Sequence, residues 1–149
     1  MRVVVQRVTK AKVESEGIVL GEIERGLVVF AAIGKTDSVQ DIKYAAEKIL
    51  NLRIFEDQEG KMSLSPLDQK AEILAVSNFT LYGDVRRGRR PDFTAAAGPE
   101  GAEKLYSSFV EILKSHGLKV ESGKFKADMN VAVANDGPVT ILIDSKKGF

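Results

Sequence analysis

The side chains in this chain that could do chemistry are concentrated between Ser77 and Phe93. The apolar run Ile73-Leu74-Ala75-Val76 leads into Ser77-Asn78-Phe79-Thr80-Leu81-Tyr82-Gly83, so a buried strand would end in hydroxyls, an amide and aromatic rings. Open α/β folds place their ligand chemistry at such strand ends. Just beyond lie Arg86, Arg87, Arg89 and Arg90, grouped around Gly88 and followed by Pro91. A guanidinium fork is well matched to phosphate oxygens, and the stretch reads as a ligand pocket beside a phosphate contact. The same residues also fit turn chemistry followed by a solvated loop. A second polar segment, Asn135-Asp136-Gly137-Pro138, separates two apolar runs and reads as a hairpin turn.

Much other catalytic chemistry is excluded by composition. There is no cysteine, hence no disulfide, thiol nucleophile or cysteine zinc site. The single histidine, His116, rules out a histidine-rich metal centre within one chain. A Ser-His-Asp triad would have to use His116, but His116-Gly117 has the residue types that end a helix. The net charge of +1 leaves nucleic-acid binding to a local patch, for which Arg86 to Arg90 is the strong candidate. No apolar run approaches the ~18 residues of a membrane span, and the run Val3-Val4-Val5 breaks too early for a signal peptide. The expectation is a soluble, cytoplasmic chain without cofactor or metal.

The elements that must position these residues follow from periodicity. With 149 residues, 44% of them hydrophobic and 29% charged, the chain suits one compact domain spanning 1–149. Val3 to Val8 is β-branched, with Arg7 on the face of Val3 and Val5. Glu16-Gly17 and Arg25-Gly26 divide the following apolar segments, which predicts three consecutive strands in an antiparallel meander. Asp37 or Ser38 can cap a helix with Val39, Ile42, Ala46, Ile49 and Leu50 on its buried stripe. Leu52 and Ile54-Phe55 read as a short strand, and Met62 and Leu64 as packing residues of an edge strand or loop. Pro99 opens a second helix that buries Ala102, Leu105, Tyr106, Phe109, Ile112 and Leu113. Strand, loop and strand follow from Lys119 to Asp144. The predicted class is α+β, a mostly antiparallel or mixed, barrel-like sheet with two main helices.

The Ser77 to Gly83 segment, its arginine-rich continuation to Phe93 and Asn135-Asp136-Gly137-Pro138-Val139-Thr140 together resemble the D-aminoacyl-tRNA deacylase family, also called D-tyrosyl-tRNA deacylase. The resemblance covers nearly the whole chain, including the Met1 to Val8 opening and Gly34-Lys35-Thr36-Asp37. Two positions depart from the family: Asn78, where it usually has glutamine, and Lys126, where it usually has glycine.

The resemblance implies a homodimer, with the active site at the subunit interface, that hydrolyses the ester between a D-amino acid and the 3'-terminal adenosine of tRNA. It implies that Gly137-Pro138 is a cis peptide inserted into the partner's site, where main-chain groups inspect the α-carbon and reject L side chains by collision. Glycyl esters, such as glycine mischarged on tRNA-Ala, would then pass the filter. Arg7 would brace the cross-subunit loop, Phe79, Phe125 and Met129 would line the adenosine pocket, and Ala102 would sit at its edge. Ser77, Asn78, Phe79 and Thr80 would form the catalytic strand end, with the Phe79 and Thr80 amides binding the oxyanion and Thr80 positioning rather than attacking. Arg86, Arg87, Arg89 and Arg90 would hold acceptor-stem phosphates. Expected partners are aminoacyl-tRNA and a second copy of the chain, with neither membrane nor DNA. The alternative is a catalytically silent module that holds RNA ends.

Overall fold

A computed structural model describes residues 1–149. Strand β1 (Arg2–Ser15) is the spine of the sheet, with β8 (Asn130–Asp144) antiparallel along one side of it. Its other side carries two strands end to end, β3 (Gly26–Ala32) against Arg2 to Val8 and β2 (Ile18–Ile23) against Ala11 to Ser15. This corrects the meander. The three strands follow one another through short connections, but β2 and β3 do not pair with each other.

The reason lies at Gly26. A Cβ there would come within 1.9 Å of the Glu72 carbonyl oxygen, so this glycine permits close backbone approach rather than a chain reversal. Only Glu16 and Gly17, both at positive φ, make the tight turn of the β1–β2 hairpin.

From β3 the sheet continues in parallel register through β6 (Glu72–Ser77) to β7 (Val120–Ser122), giving the mixed sheet expected. The far ends curl toward one another. A Cβ on Gly21 of β2 would lie 3.0 Å from the Glu121 Cβ of β7, so the sheet is a nearly closed barrel.

Alternation along the strands divides the interior. Leu27, Val29, Ile73 and Ala75 face the helices, while Val28, Leu74 and Val76 join Val8, Ala11, Val13 and Ile23 inside the curl. Helix α1 (Val39–Leu50) starts at Ser38, whose backbone and hydroxyl both donate to Asp41 Oδ2 at 2.8 Å. Its stripe is Ile42, Ala45, Ala46, Ile49 and Leu50; Val39, in the first turn, is half exposed rather than core. Helix α3 (Pro99–Lys114) begins at the predicted proline and ends before Gly117, which adopts φ +79°. Between them lie the short pair β4 (Phe55–Glu56) and β5 (Met62–Leu64) and a single-turn helix, α2 (Pro66–Gln69), absent from the sequence reading. Met62 is exposed, whereas Leu64 packs against the core.

The hairpin expected at Asn135 to Pro138 does not form. Both flanking segments stay on β1: Gln6 pairs with Thr140 and Val8 with Asn135, so the four residues Asp136 to Val139 bulge out opposite Arg7 alone. Proline, which cannot donate to a ladder, falls inside this excursion, and Gly137-Pro138 is a cis peptide. The base of the bulge is closed by the Asn135 side chain. Its Nδ2 donates to the Arg7 carbonyl at 2.9 Å and to the Val139 carbonyl at 3.2 Å, replacing bonds that the ladder omits there.

No helix is long and apolar enough to cross a membrane.

Candidate active site

Where β6 ends, Asn78 keeps one bond to the sheet, its amide donating to the Ala31 carbonyl at 2.8 Å. The chain then turns into a 3-10 turn, Phe79–Tyr82. The first amides of such a turn have no acceptor within it. The Phe79 and Thr80 amides also have none among the bonds outside regular elements. Two adjacent N–H donors therefore stand free at a strand end, and both residues are exposed.

They stand on a cavity of about 690 Å³, lined mostly by apolar side chains. The cavity brings together Ser77, Asn78, Phe79, Thr80, Ala102, Phe125 and Met129, seven of the residues picked out from sequence. Phe79 packs edge-on against Phe93 with centroids 5.2 Å apart. On the far wall Tyr106 and Phe125 lie 5.9 Å apart. A chamber of this size with aromatic walls suits a nucleoside better than a free amino acid.

Thr80 is poorly placed to be a nucleophile. Its hydroxyl donates to the Asn78 side-chain oxygen at 2.5 Å, and an amide oxygen is no general base. His116 is exposed at the end of α3, its Nδ1 2.9 Å from the Ile112 carbonyl, and does not line the cavity. This arrangement gives Asn78 a definite use: its side-chain oxygen holds Thr80 in place.

Tyr106 is a functional candidate that sequence reasoning absorbed into the helix stripe. It is buried and lines the cavity, yet its hydroxyl has no hydrogen-bond partner at good geometry, with the Ser77 backbone close enough to act on it. Burial pushes its hydroxyl well above the ordinary tyrosine range, so it is a neutral phenol. The helical period that identified it as core could not distinguish a core wall from a cavity wall. Phe93, Lys126 and Asp128 were also missed as lining residues.

Arg7, Gly137 and Pro138 do not line this cavity. Arg7 is 5% exposed, donates from Nη1 to the Ile54 carbonyl at 2.6 Å and sets Nε 2.9 Å from the Asp136 carboxylate. Within one chain it therefore braces the bulge of its own β8, and Gly137 and Pro138 project into solvent.

The arginine loop is also separate. Asp84 and Asp92 close it through paired backbone bonds of 2.8 and 2.9 Å. Arg86 folds back onto Asp84, Nε lying 2.9 and 3.0 Å from its two oxygens, and these bonds hold the Asp84 carboxyl well below the usual range. Arg87, Arg89 and Arg90 are exposed and belong to no ion pair.

The model of the family described as D-Tyr-tRNA(Tyr) deacylase matches residues 4–144. The D-aminoacyl-tRNA deacylase of Thermosipho africanus is 58% identical over 149 residues, and that of Halothermothrix orenii 59%, with both chains covered in full in each case. Among solved structures, the c-Myc DNA Unwinding Element Binding Protein superposes with a TM-score of 0.91 at 44% identity, over 97% of this chain and 98% of that one. A probable eukaryotic D-amino acid tRNA deacylase, 18% identical, shares the fold with a TM-score of 0.83 over 95% and 97% of the two chains. The match across almost the whole chain, and the full-length identity to these relatives, mean that this chain belongs to the D-Tyr-tRNA(Tyr) deacylase family.

Proposed function

We propose that this chain hydrolyses the ester linking a D-amino acid to the 3'-terminal adenosine of tRNA, acting in the cytoplasm as a homodimer. The observation that carries the reading is the pair of free amides at Phe79 and Thr80 on an apolar, nucleoside-sized cavity. The ester carbonyl would face these amides while water adds to its carbon. The developing oxyanion takes both N–H bonds, and one such donor is typically worth about 3 kcal/mol of barrier. Collapse breaks the bond to the ribose 3' oxygen, which takes up a proton, and releases the free amino acid. The neighbouring ribose 2'-OH activates the water, since Thr80 has no base.

The chiral filter would come from a second copy. Gly137 and Pro138 are exposed, lie outside their own chain's cavity, and sit on a strand whose outer edge pairs with nothing in this chain. In the dimer that bulge would enter the partner's cavity, hold the substrate ammonium by main-chain carbonyls and exclude L side chains. Glycyl esters, with no side chain to clash, would be cleaved. Arg87, Arg89 and Arg90 would contact acceptor-stem phosphates, with Arg86 already engaged by Asp84.

Hydrolysis of D-tyrosyl-tRNA and L-tyrosyl-tRNA by wild type and Thr80→Ala tests the reading. Fast cleavage of the D ester alone, with Thr80→Ala retaining most of the rate, is expected. A chain that cleaves neither ester is an RNA-end-binding module instead.

A further inference from the structure

We propose that Lys126 is a phosphate-binding residue of the cavity, holding the phosphodiester on the 5' side of the terminal adenosine; the assignment rests on reading the cavity as an adenosine site. Three observations converge on it. Lys126 lines the cavity between Phe125 and Met129 and is the only cation on its lining. Its ammonium is exposed and belongs to no ion pair, and Asp128, the only carboxylate on the lining, is not paired with it.

The third observation concerns the backbone. Lys126 sits at φ +63°, the left-handed region where glycine is at ease and a lysine is disfavoured. The family's usual glycine here has a physical explanation, and this chain forgoes that comfort for a charged side chain at a ligand cavity. Glu16, Lys70 and Lys147 share this backbone region away from the cavity; Lys126 alone combines it with a place on the lining.

The ligand chemistry supplies the task. A nucleoside whose 3' ester meets the Phe79 and Thr80 amides must leave its 5' phosphate at the rim, because an apolar cavity does not bury an unpaired anion. A free ammonium there is the matching group, and each neutralised phosphate steepens the salt dependence of binding.

The test compares adenosine with adenosine 5'-(methyl phosphate), a diester with one charge and no second base, by titration calorimetry on wild type, Lys126→Gly and Lys126→Gln. Wild type should prefer the diester by about fivefold at low salt, a size typical of one exposed charge pair. Both variants should lose that preference, and Lys126→Gly should melt no lower than wild type. Equal affinities in wild type, or a preference surviving in either variant, would overturn the assignment. D-tyrosyl-tRNA hydrolysis by wild type is measured alongside. Its absence would refute the catalytic reading alone, because the nucleotide preference is scored without turnover.

Discussion

Breaking the pair between Arg7 and Asp136 should loosen the bulge that carries Gly137 and Pro138. Arg7 is almost fully buried, while the Asp136 side chain keeps 35% of its exposure, so the interaction is half-wet on one side. Removing one partner of a fully buried pair costs 3–5 kcal/mol, and exposed pairs are worth at most about 1. For Asp136→Ala, which strands a buried guanidinium with only the Ile54 carbonyl for company, about 1–2 kcal/mol is expected. At this chain length that lowers the melting temperature by roughly 2–8 °C at fixed protein concentration. Arg7→Met should cost more, about 2–3 kcal/mol, because it also orphans the Ile54 carbonyl. The double variant should be less damaged than the sum, by about 1 kcal/mol. The same proteins, assayed on D- and L-tyrosyl-tRNA, should show a narrowed chiral ratio with D cleavage largely kept. Strict additivity of the melting shifts, or an unchanged ratio in a destabilised Asp136→Ala, would refute the idea that Arg7 fixes the bulge through Asp136.

Other outcomes follow from the site and its supports. Substituting Arg87, Arg89 and Arg90 together by alanine should flatten the salt dependence of tRNA affinity by a slope of about 2–3, whereas Arg86→Ala should change it little; filter binding across salt concentrations distinguishes them. Tyr106→Phe removes a buried hydroxyl that has no partner, so urea unfolding should place it within about 0.5 kcal/mol of wild type or above it. Burial opposes ionisation of Asp41, but bonds from Lys146, Ser145 and Ser38 overcome it and hold its carboxyl well below the usual range. With the folded value depressed, its contribution is complete above the ordinary carboxylate pKa near ~4 and is lost as pH falls below that. The stability gap between wild type and Asp41→Asn should therefore be constant near neutrality and close in acid.

The helices were legible because their signals are local. Ser38 and Asp41, Pro99 and Gly117 state where α1 and α3 begin and end within a few residues. The strand end at Ser77 to Thr80 was legible for the same reason, since an apolar run meeting small polar residues needs no distant partner to be recognised. What failed depended on pairing. Gly26 looks like a turn glycine in isolation, and only the Glu72 backbone beside it makes it a packing glycine. Asn135 to Pro138 has hairpin residues, yet β1 is long enough to hold both flanking segments, and the Asn135 amide closes the gap. Tyr106 and Lys126 were hidden because a helical stripe or a loop says nothing of the empty space it faces.

The bulge of β8 also limits how this chain can vary in length. It adds three residues to β8 opposite Arg7, and the neighbouring irregularity at Thr9 adds one to β1, leaving a net offset of two. Side chains alternate with a period of two, and the paired irregularities switch faces: Val139, Ile141 and Ile143 pack on the helix side, whereas Val131 and Val133 pack inside the curl beside Val13 and Ala11. A single-residue insertion or deletion between Asp136 and Val139 that is taken up in the register would turn the whole Asn130 to Asn135 half over, exposing Val131 and Val133 and burying Ala132 and Ala134. Two residues at once would preserve the alternation. Related chains should therefore differ in length here in even steps, or carry a compensating change near Thr9.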